Sequence, residues 1–218
     1  MLTVQTWNIN NDVLEYIERT HTYLVNGVVV PSVTQFIKKH SVDKYKYVAP
    51  QLLDRSCQYG NSVHKEIEEF EKYKIDIPTS KELSNYKFLK KVFMFKSLEN
   101  EIPIIIYDEH GRPLMAGRID MIVEKNGMLG IVDIKTTSTL DKEYLAKQLS
   151  LYKLGYQQSY HKEVEFLSGL HIRADVRKMV DIKEDKNILK TLKEDFLWRK
   201  NQSSVILCLS LQYKLSYL

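Results

Sequence analysis

Asp133-Ile134-Lys135 places an acid and a base two residues apart, the spacing that puts both on one face of a strand. Upstream, Gly117-Arg118-Ile119-Asp120 repeats the pattern with its own cation and carboxylate. Between the two runs stands Asn126-Gly127. Both residues tolerate the positive φ of a type I′ turn, and the pair flanked by apolar residues is a strong hairpin signal. A two-residue turn there makes Lys125 face Met128. Carried back along both strands, that register sets Asp120 opposite Asp133 and Arg118 opposite Lys135. Two carboxylates and two cations then converge on one side of a ribbon. Like charges directly opposed destabilise a sheet, so the pair needs a compensating cation, either a basic side chain or a metal. Paired carboxylates suit a hard, oxygen-seeking ion such as Mg²⁺ or Mn²⁺. Lys135 beside it is placed to orient a water or to stabilise developing negative charge.

These residues are part of a longer ordered set: His64 in Gly60-Asn61-Ser62-Val63-His64, then Gly117 to Asp120, then Asp133 to Lys135, then Gln148-Leu149-Ser150-Leu151-Tyr152. The set resembles the PD-(D/E)xK nuclease superfamily, and within it the RecB-like branch, with its helix His, GxxD strand, DxK strand and QxxxY helix. The likeness covers roughly Gly60 to Tyr156. Tyr23 to Gly27 followed by Pro31-Ser32-Val33-Thr34 is also similar to the opening of phage-borne members. The resemblance implies a restriction-endonuclease-like α/β core, a central mixed β-sheet flanked by helices. It implies DNA as substrate, as double-stranded ends or single strands, and Mg²⁺ or Mn²⁺ as cofactor. It further implies Asp120, Asp133, His64 and the Ile134 carbonyl as metal ligands, Lys135 as the catalytic residue that positions the attacking water or stabilises the developing charge, and Gln148 and Tyr152 as residues that orient the substrate and hold Lys135. A phage-type exonuclease of recombination or repair is the expected activity, with a recombination or helicase protein as candidate partner. A non-catalytic nucleic-acid-binding module or a subunit of a larger assembly is the competing reading.

The elements needed to position this set can be read around it. Val13-Leu14 and Tyr16-Ile17 suggest a short helix, and His21 to Val30 a hairpin turning at Asn26-Gly27. Ser32 is a plausible cap for a helix after Pro31. Lys38, Lys39, His40, Lys44 and Lys46, interleaved with Tyr45 and Tyr47, read either as phosphate and base contacts or as a solvated loop. Asn61 to Lys72 reads as a helix burying Val63, Ile67 and Phe70. His64 and Glu68 share a face beside that stripe, and Glu66, Glu69 and Glu71 read as an acidic surface. A second helix is expected over Ser80 to Ser97. A strand over Ile102 to Tyr107 follows, and Glu101 at its start could reach the carboxylate pair from a neighbouring strand. Asp141 or Thr139 caps a helix to Ser159 that carries Gln148 and Tyr152 one turn apart. A strand over Glu165 to Arg173 then implies a crossover and a parallel neighbour for part of the sheet. Val180-Asp181-Ile182-Lys183 repeats the central string but has no opposed Asp, and reads as a solvated strand end or helix start. Asn187 to Lys200 is a final helix, and Val205 to Leu218 an edge strand or tail.

With 218 residues and a net charge of +4, the chain is of single-domain size, and its mild charge permits nucleic-acid binding without requiring it. The expected organisation is one nuclease domain: an N-terminal helical and hairpin extension to residue 59, a core over 60–175, and a C-terminal helix and tail over 176–218. Cys57 and Cys208 are the only cysteines, too few for a zinc set or a four-cysteine iron–sulfur cluster. There is no glycine-rich phosphate loop, which argues against ATP use. No run reaches membrane-spanning length, and a reduced, cytoplasmic protein is expected.

Overall fold

The computed structural model describes residues 3–42, 44, 46–74 and 80–196. The central ribbon is the hairpin of β6 (Pro113–Lys125) and β7 (Met128–Lys135). Lys125 pairs with Met128, and the ladder runs back to Met121 against Val132. Asn126 and Gly127 both take positive φ, 54° and 78°, as a type I′ turn requires. On one side β6 pairs antiparallel with β5 (Lys96–Tyr107). On the other, β7 pairs parallel with β8 (Phe166–Arg173), which pairs antiparallel with β9 (Val176–Ile182). Among the described residues this is a five-stranded mixed sheet in sequence order. The one parallel pair is made by the expected crossover through α4 (Lys142–Tyr160), which Asp141 caps by accepting the Tyr144 N–H at 3.1 Å.

Helices cover both faces, which is why β7 reads as nearly continuous apolar residues. Val132 and Ile134 pack with Val63 and Ile67 of α2 (Pro50–Tyr73) and with Leu83, Tyr86 and Leu89 of α3 (Lys81–Phe93). Asp133 and Lys135 alternate to the other side, where Lys135 meets α4. This is a restriction-endonuclease-like α/β architecture. Among the described residues no helix is long and apolar enough to cross a membrane.

Several elements differ from expectation. The segment expected to hold a short helix is a meander instead: β1 (Val4–Ile9), β2 (Asp12–Ile17), β3 (Thr22–Val25) and β4 (Val28–Val30) form an antiparallel sheet. Leu14 and Tyr16 are buried while Val13 is exposed, a period of two that the cluster Val13-Leu14-Tyr16-Ile17 leaves ambiguous. The inner face of this sheet packs on Ile105 and Ala116 of the central sheet. Ser32 does cap α1 (Val33–Lys39), with a full capping box through Gln35. Helix α2 starts at Pro50, well before Asn61, with the proline in its first turn, where proline is favoured. Helix α3 ends at Phe93, where Met94 takes a left-handed conformation, and β5 begins at Lys96. Glu71 is not on a surface: its side chain is 3% exposed. Val180 to Ile182 is a strand end in β9, and Asp181 accepts the Ser168 hydroxyl.

One compact unit spans Met1–Glu184. In the second, residues 186–196 are helical. Leu197 and the segment from Val205 to Leu218 lie outside the described residues.

Candidate metal centre

The ladder between β6 and β7 stops at Met121–Val132, one pair short of the two aspartates. There Asp120 takes over a backbone role: its Oδ2 accepts the Ile134 N–H at 2.7 Å. The strands diverge beyond this point, so Arg118 does not face Lys135. Arg118 pairs instead across the other edge of β6, opposite Pro103 of β5, and its guanidinium forms an ion pair with Glu101. The expectation of four charges facing one another across a single ribbon is corrected accordingly. The turn register holds only as far as main-chain pairing does.

His64 projects from α2 into the opening. Its Nε2 lies 3.0 Å from the Ile134 carbonyl oxygen, and its Nδ1 lies 3.6 Å from Asp120 Oδ1. Anchoring one ring nitrogen on a carbonyl fixes the direction of the other, the usual way a ligating imidazole is oriented. Burial disfavours the charged ring, but the Asp120 carboxylate outweighs it and His64 is pushed up to about 9. Asp120 moves the other way: against its own burial, His64 and Lys135 hold it below the usual carboxylate range.

Glu101 completes a group with these two. Asn100 pairs with Met121 and Ile102 with Ile119, so Glu101 stands across from Asp120. A β-bulge between Ser97 and Glu99 precedes it, and Glu101 itself has φ 54°, a left-handed conformation that is uncommon for a side chain of this size. Ligand atoms of His64, Glu101 and Asp120 all lie within 4.8 Å of one another. Burial and the Asp120 charge push Glu101 up to about 7, against the pull of Arg118. Glu68 lines the same opening but stands outside this group.

Asp133 lies on the other side of Asp120. Its side chain is 1% exposed, and Lys135 Nζ sits 2.6 Å from its Oδ2. Apart from Lys135, neither Asp133 oxygen meets a hydrogen-bond donor among the described residues. Burial pushes Asp133 up to about 6, opposed by Lys135 and reinforced by Asp120. Lys135 also donates to Gln148 Oε1 at 2.9 Å, and Gln148 Nε2 donates to the Tyr152 hydroxyl at 3.1 Å. All seven residues singled out from the sequence, His64, Asp120, Asp133, Ile134, Lys135, Gln148 and Tyr152, are thus connected in one place. A buried carboxylate paired with a single ammonium, next to an imidazole and two more carboxylates, fits a divalent cation held by oxygen and nitrogen.

The group opens into a cleft of about 890 Å³. Its floor is Gly117, Arg118 and Asp120, and its far wall comes from the N-terminal sheet through Gln5, Trp7 and Tyr16. Sequence reading assigned no chemistry to those last three. Nothing in their spacing announces it, because they reach the site only through sheet packing.

The chain belongs to the PD-(D/E)XK nuclease superfamily, whose family model matches residues 88–207. No curated protein matches it. Among solved structures, one described as "Crystal structure of SSO0001" is similar at TM-score 0.42 and 19% identity, over 77% of this chain and 71% of that one.

Proposed function

We propose that the chain is a Mg²⁺- or Mn²⁺-dependent DNA nuclease of the RecB-like branch, an exonuclease of the phage recombination or repair type. The observation that carries this reading is the cluster of His64, Glu101 and Asp120, whose ligand atoms lie within 4.8 Å of one another, beside the fully buried Asp133 carboxylate with Lys135 Nζ 2.6 Å from it. His64, Glu101, Asp120 and Asp133 would hold the cation, with the Ile134 carbonyl as a further oxygen ligand. A bound divalent ion supplies Lewis-acid activation of water and neutralises phosphate charge. Lys135 lies where an ammonium can orient that water and offset charge developing on the phosphorus oxygens. Gln148 fixes the Lys135 ammonium, and Tyr152 fixes Gln148, so the cation does not have to be ordered during the reaction. The Arg118 floor and the N-terminal sheet would bound the strand.

End-labelled linear DNA and closed circular DNA, each incubated with Mg²⁺, Mn²⁺ or chelator, test the reading. The expected result is metal-dependent loss of the linear substrate alone, absent in Lys135→Ala. Nicked circles would keep the hydrolysis and overturn the exonuclease assignment. DNA retained in a gel shift but uncut under every condition would leave a binding module.

A further inference from the structure

Arg118 is not used by the chemistry above, yet it lies on the floor of the same cleft. Its guanidinium is held on three sides. It forms an ion pair with Glu101, Nη1 donates to Gln5 Oε1 at 3.2 Å, and the group stands 5.1 Å from the Tyr16 ring centroid. Only the first of these contacts carries a full opposite charge. Glu101, however, is also one of the three residues whose ligand atoms gather within 4.8 Å. One carboxylate therefore has two claimants. A divalent ion attracts it with twice the charge of a guanidinium. Once the carboxylate turns to the ion, Arg118 is left with a neutral amide and a ring. A part-buried cation without its counter-charge is unfavourable, and the planar fork of an arginine matches a phosphate's oxygens two at a time.

We propose that Arg118 is a phosphate-binding residue for the nucleic-acid strand in the cleft, held by Glu101 until a divalent ion takes the Glu101 carboxylate. The proposal rests on the nuclease reading for the identity of the ligand. It makes the internal ion pair a placeholder: ion and phosphate together replace Glu101 and Arg118 as each other's partners. Ion and strand then bind with positive coupling, and linkage requires that each raise the other's affinity by the same factor.

The probe is a short fluorescent single-stranded oligonucleotide with phosphorothioate linkages, titrated by anisotropy in chelator and in Ca²⁺. In chelator, Glu101→Gln is expected to bind it about ten-fold more tightly than wild type, because the fork is free for a charge-assisted contact. The double variant Glu101→Gln/Arg118→Gln should lose that gain. In Ca²⁺ the wild type should gain affinity, and Arg118→Gln should gain several-fold less. Arg118→Lys keeps the charge without the fork and should retain part of the gain, and circular dichroism melts of each variant separate lost binding from lost fold. The double variant has the net charge of wild type, so a gain that persists in it would come from neither Arg118 nor bulk charge and would overturn the proposal, as would a full gain retained in Glu101→Gln/Arg118→Lys, which would be bulk charge alone, or a full Ca²⁺ effect in Arg118→Gln. Failure of wild type to cut DNA with Mg²⁺ or Mn²⁺ would instead count against the nuclease reading, since the couplings are measured without cleavage.

Discussion

Asp120 accepts the backbone N–H of Ile134 at 2.7 Å, so a side chain of β6 closes the hydrogen-bond ladder where the two strands part. One carboxylate oxygen is thereby committed to the fold, and the other faces His64. The two duties can be separated. Asp120→Asn keeps an acceptor for the Ile134 N–H but removes the charge. It is expected to unfold within about 1 kcal/mol of wild type, to bind Mn²⁺ at least about ten-fold more weakly, and to lose cleavage. Asp120→Ala orphans a buried N–H and should cost a further ~1–3 kcal/mol. Urea denaturation in chelator, paired with Mn²⁺ titration, measures both. Equal stability of the two variants would mean that the ladder contact contributes nothing.

Lys135 sits 2.6 Å from the buried Asp133 carboxylate, which has no other hydrogen-bond donor among the described residues. Lys135→Met is therefore expected to act twice. Cleavage should fall by at least about 100-fold, the scale of losing one electrostatic stabiliser. Stability in chelator at neutral pH should fall by about 3 kcal/mol, because a buried charge loses its partner. Added Mn²⁺ should restore most of that stability without restoring cleavage. If Mn²⁺ leaves the melting temperature of the variant unchanged, Asp133 does not face the ion.

The placement of these residues was legible as far as local rules reach. Asn126-Gly127 sets a register that the main chain follows to Met121–Val132, and the alternation of Asp133 and Lys135 follows from the pleat. The parallel β7–β8 pair follows from strand, helix, strand. Glu101 was harder to place. A turn at Asp108 to Arg112 is visible in the sequence, but register shifts at Ser97/Glu99 and Ile106/Tyr107 move every pairing along β5, and bulges leave little trace in composition. The N-terminal sheet was harder still. Its strands are short, and Val13-Leu14 beside Tyr16-Ile17 fits a helical stripe as well as a strand until the sheet's partner, Ile105 and Ala116, is known. Glu71 reads as one more acid in a charged helix because Tyr86 and Lys90, which meet its carboxylate, come from α3.

Gly117 leaves room for Tyr152. A Cβ built there would lie 3.0 Å from Tyr152 Cε1 and 3.2 Å from Val33 Cγ2, contacts that force a neighbour to give way. Val33 and Tyr152 are both buried helical residues, and Tyr152 stands at the shorter distance. The displacement passes to Gln148 and then Lys135 along hydrogen bonds of 3.1 and 2.9 Å. Gly117→Ala is expected to lower kcat about ten-fold, a cost that a small misplacement of a catalytic group commonly carries, with KM nearly unchanged. Tyr152→Phe should lower kcat in the same direction by removing the Gln148 contact alone. Steady-state kinetics on both decide it: unaltered kcat in the pair would separate Tyr152 from Lys135.

Glu71 offers a prediction remote from the metal centre. Its buried carboxylate forms ion pairs with Lys74 and Lys90 and accepts the Tyr86 hydroxyl at 2.8 Å. Burial alone would raise its pKa, but the hydrogen bonds from Lys74, Lys90 and Tyr86 outweigh it and hold the group below the ordinary glutamate value. A carboxylate whose folded pKa is depressed binds protons more readily when unfolded. Its contribution is therefore fully present above the unfolded value and is lost as pH falls through the lower, folded one. Glu71→Gln removes that titration and leaves two cations around a neutral amide. It should cost about 3 kcal/mol at neutral pH, and its urea midpoint should fall less steeply than that of wild type as pH drops below the ordinary glutamate range. Denaturation curves in chelator at stepped pH, which keep the metal centre out of the comparison, measure the two slopes. Parallel acid limbs for the two proteins would place the acid sensitivity of this fold somewhere other than Glu71.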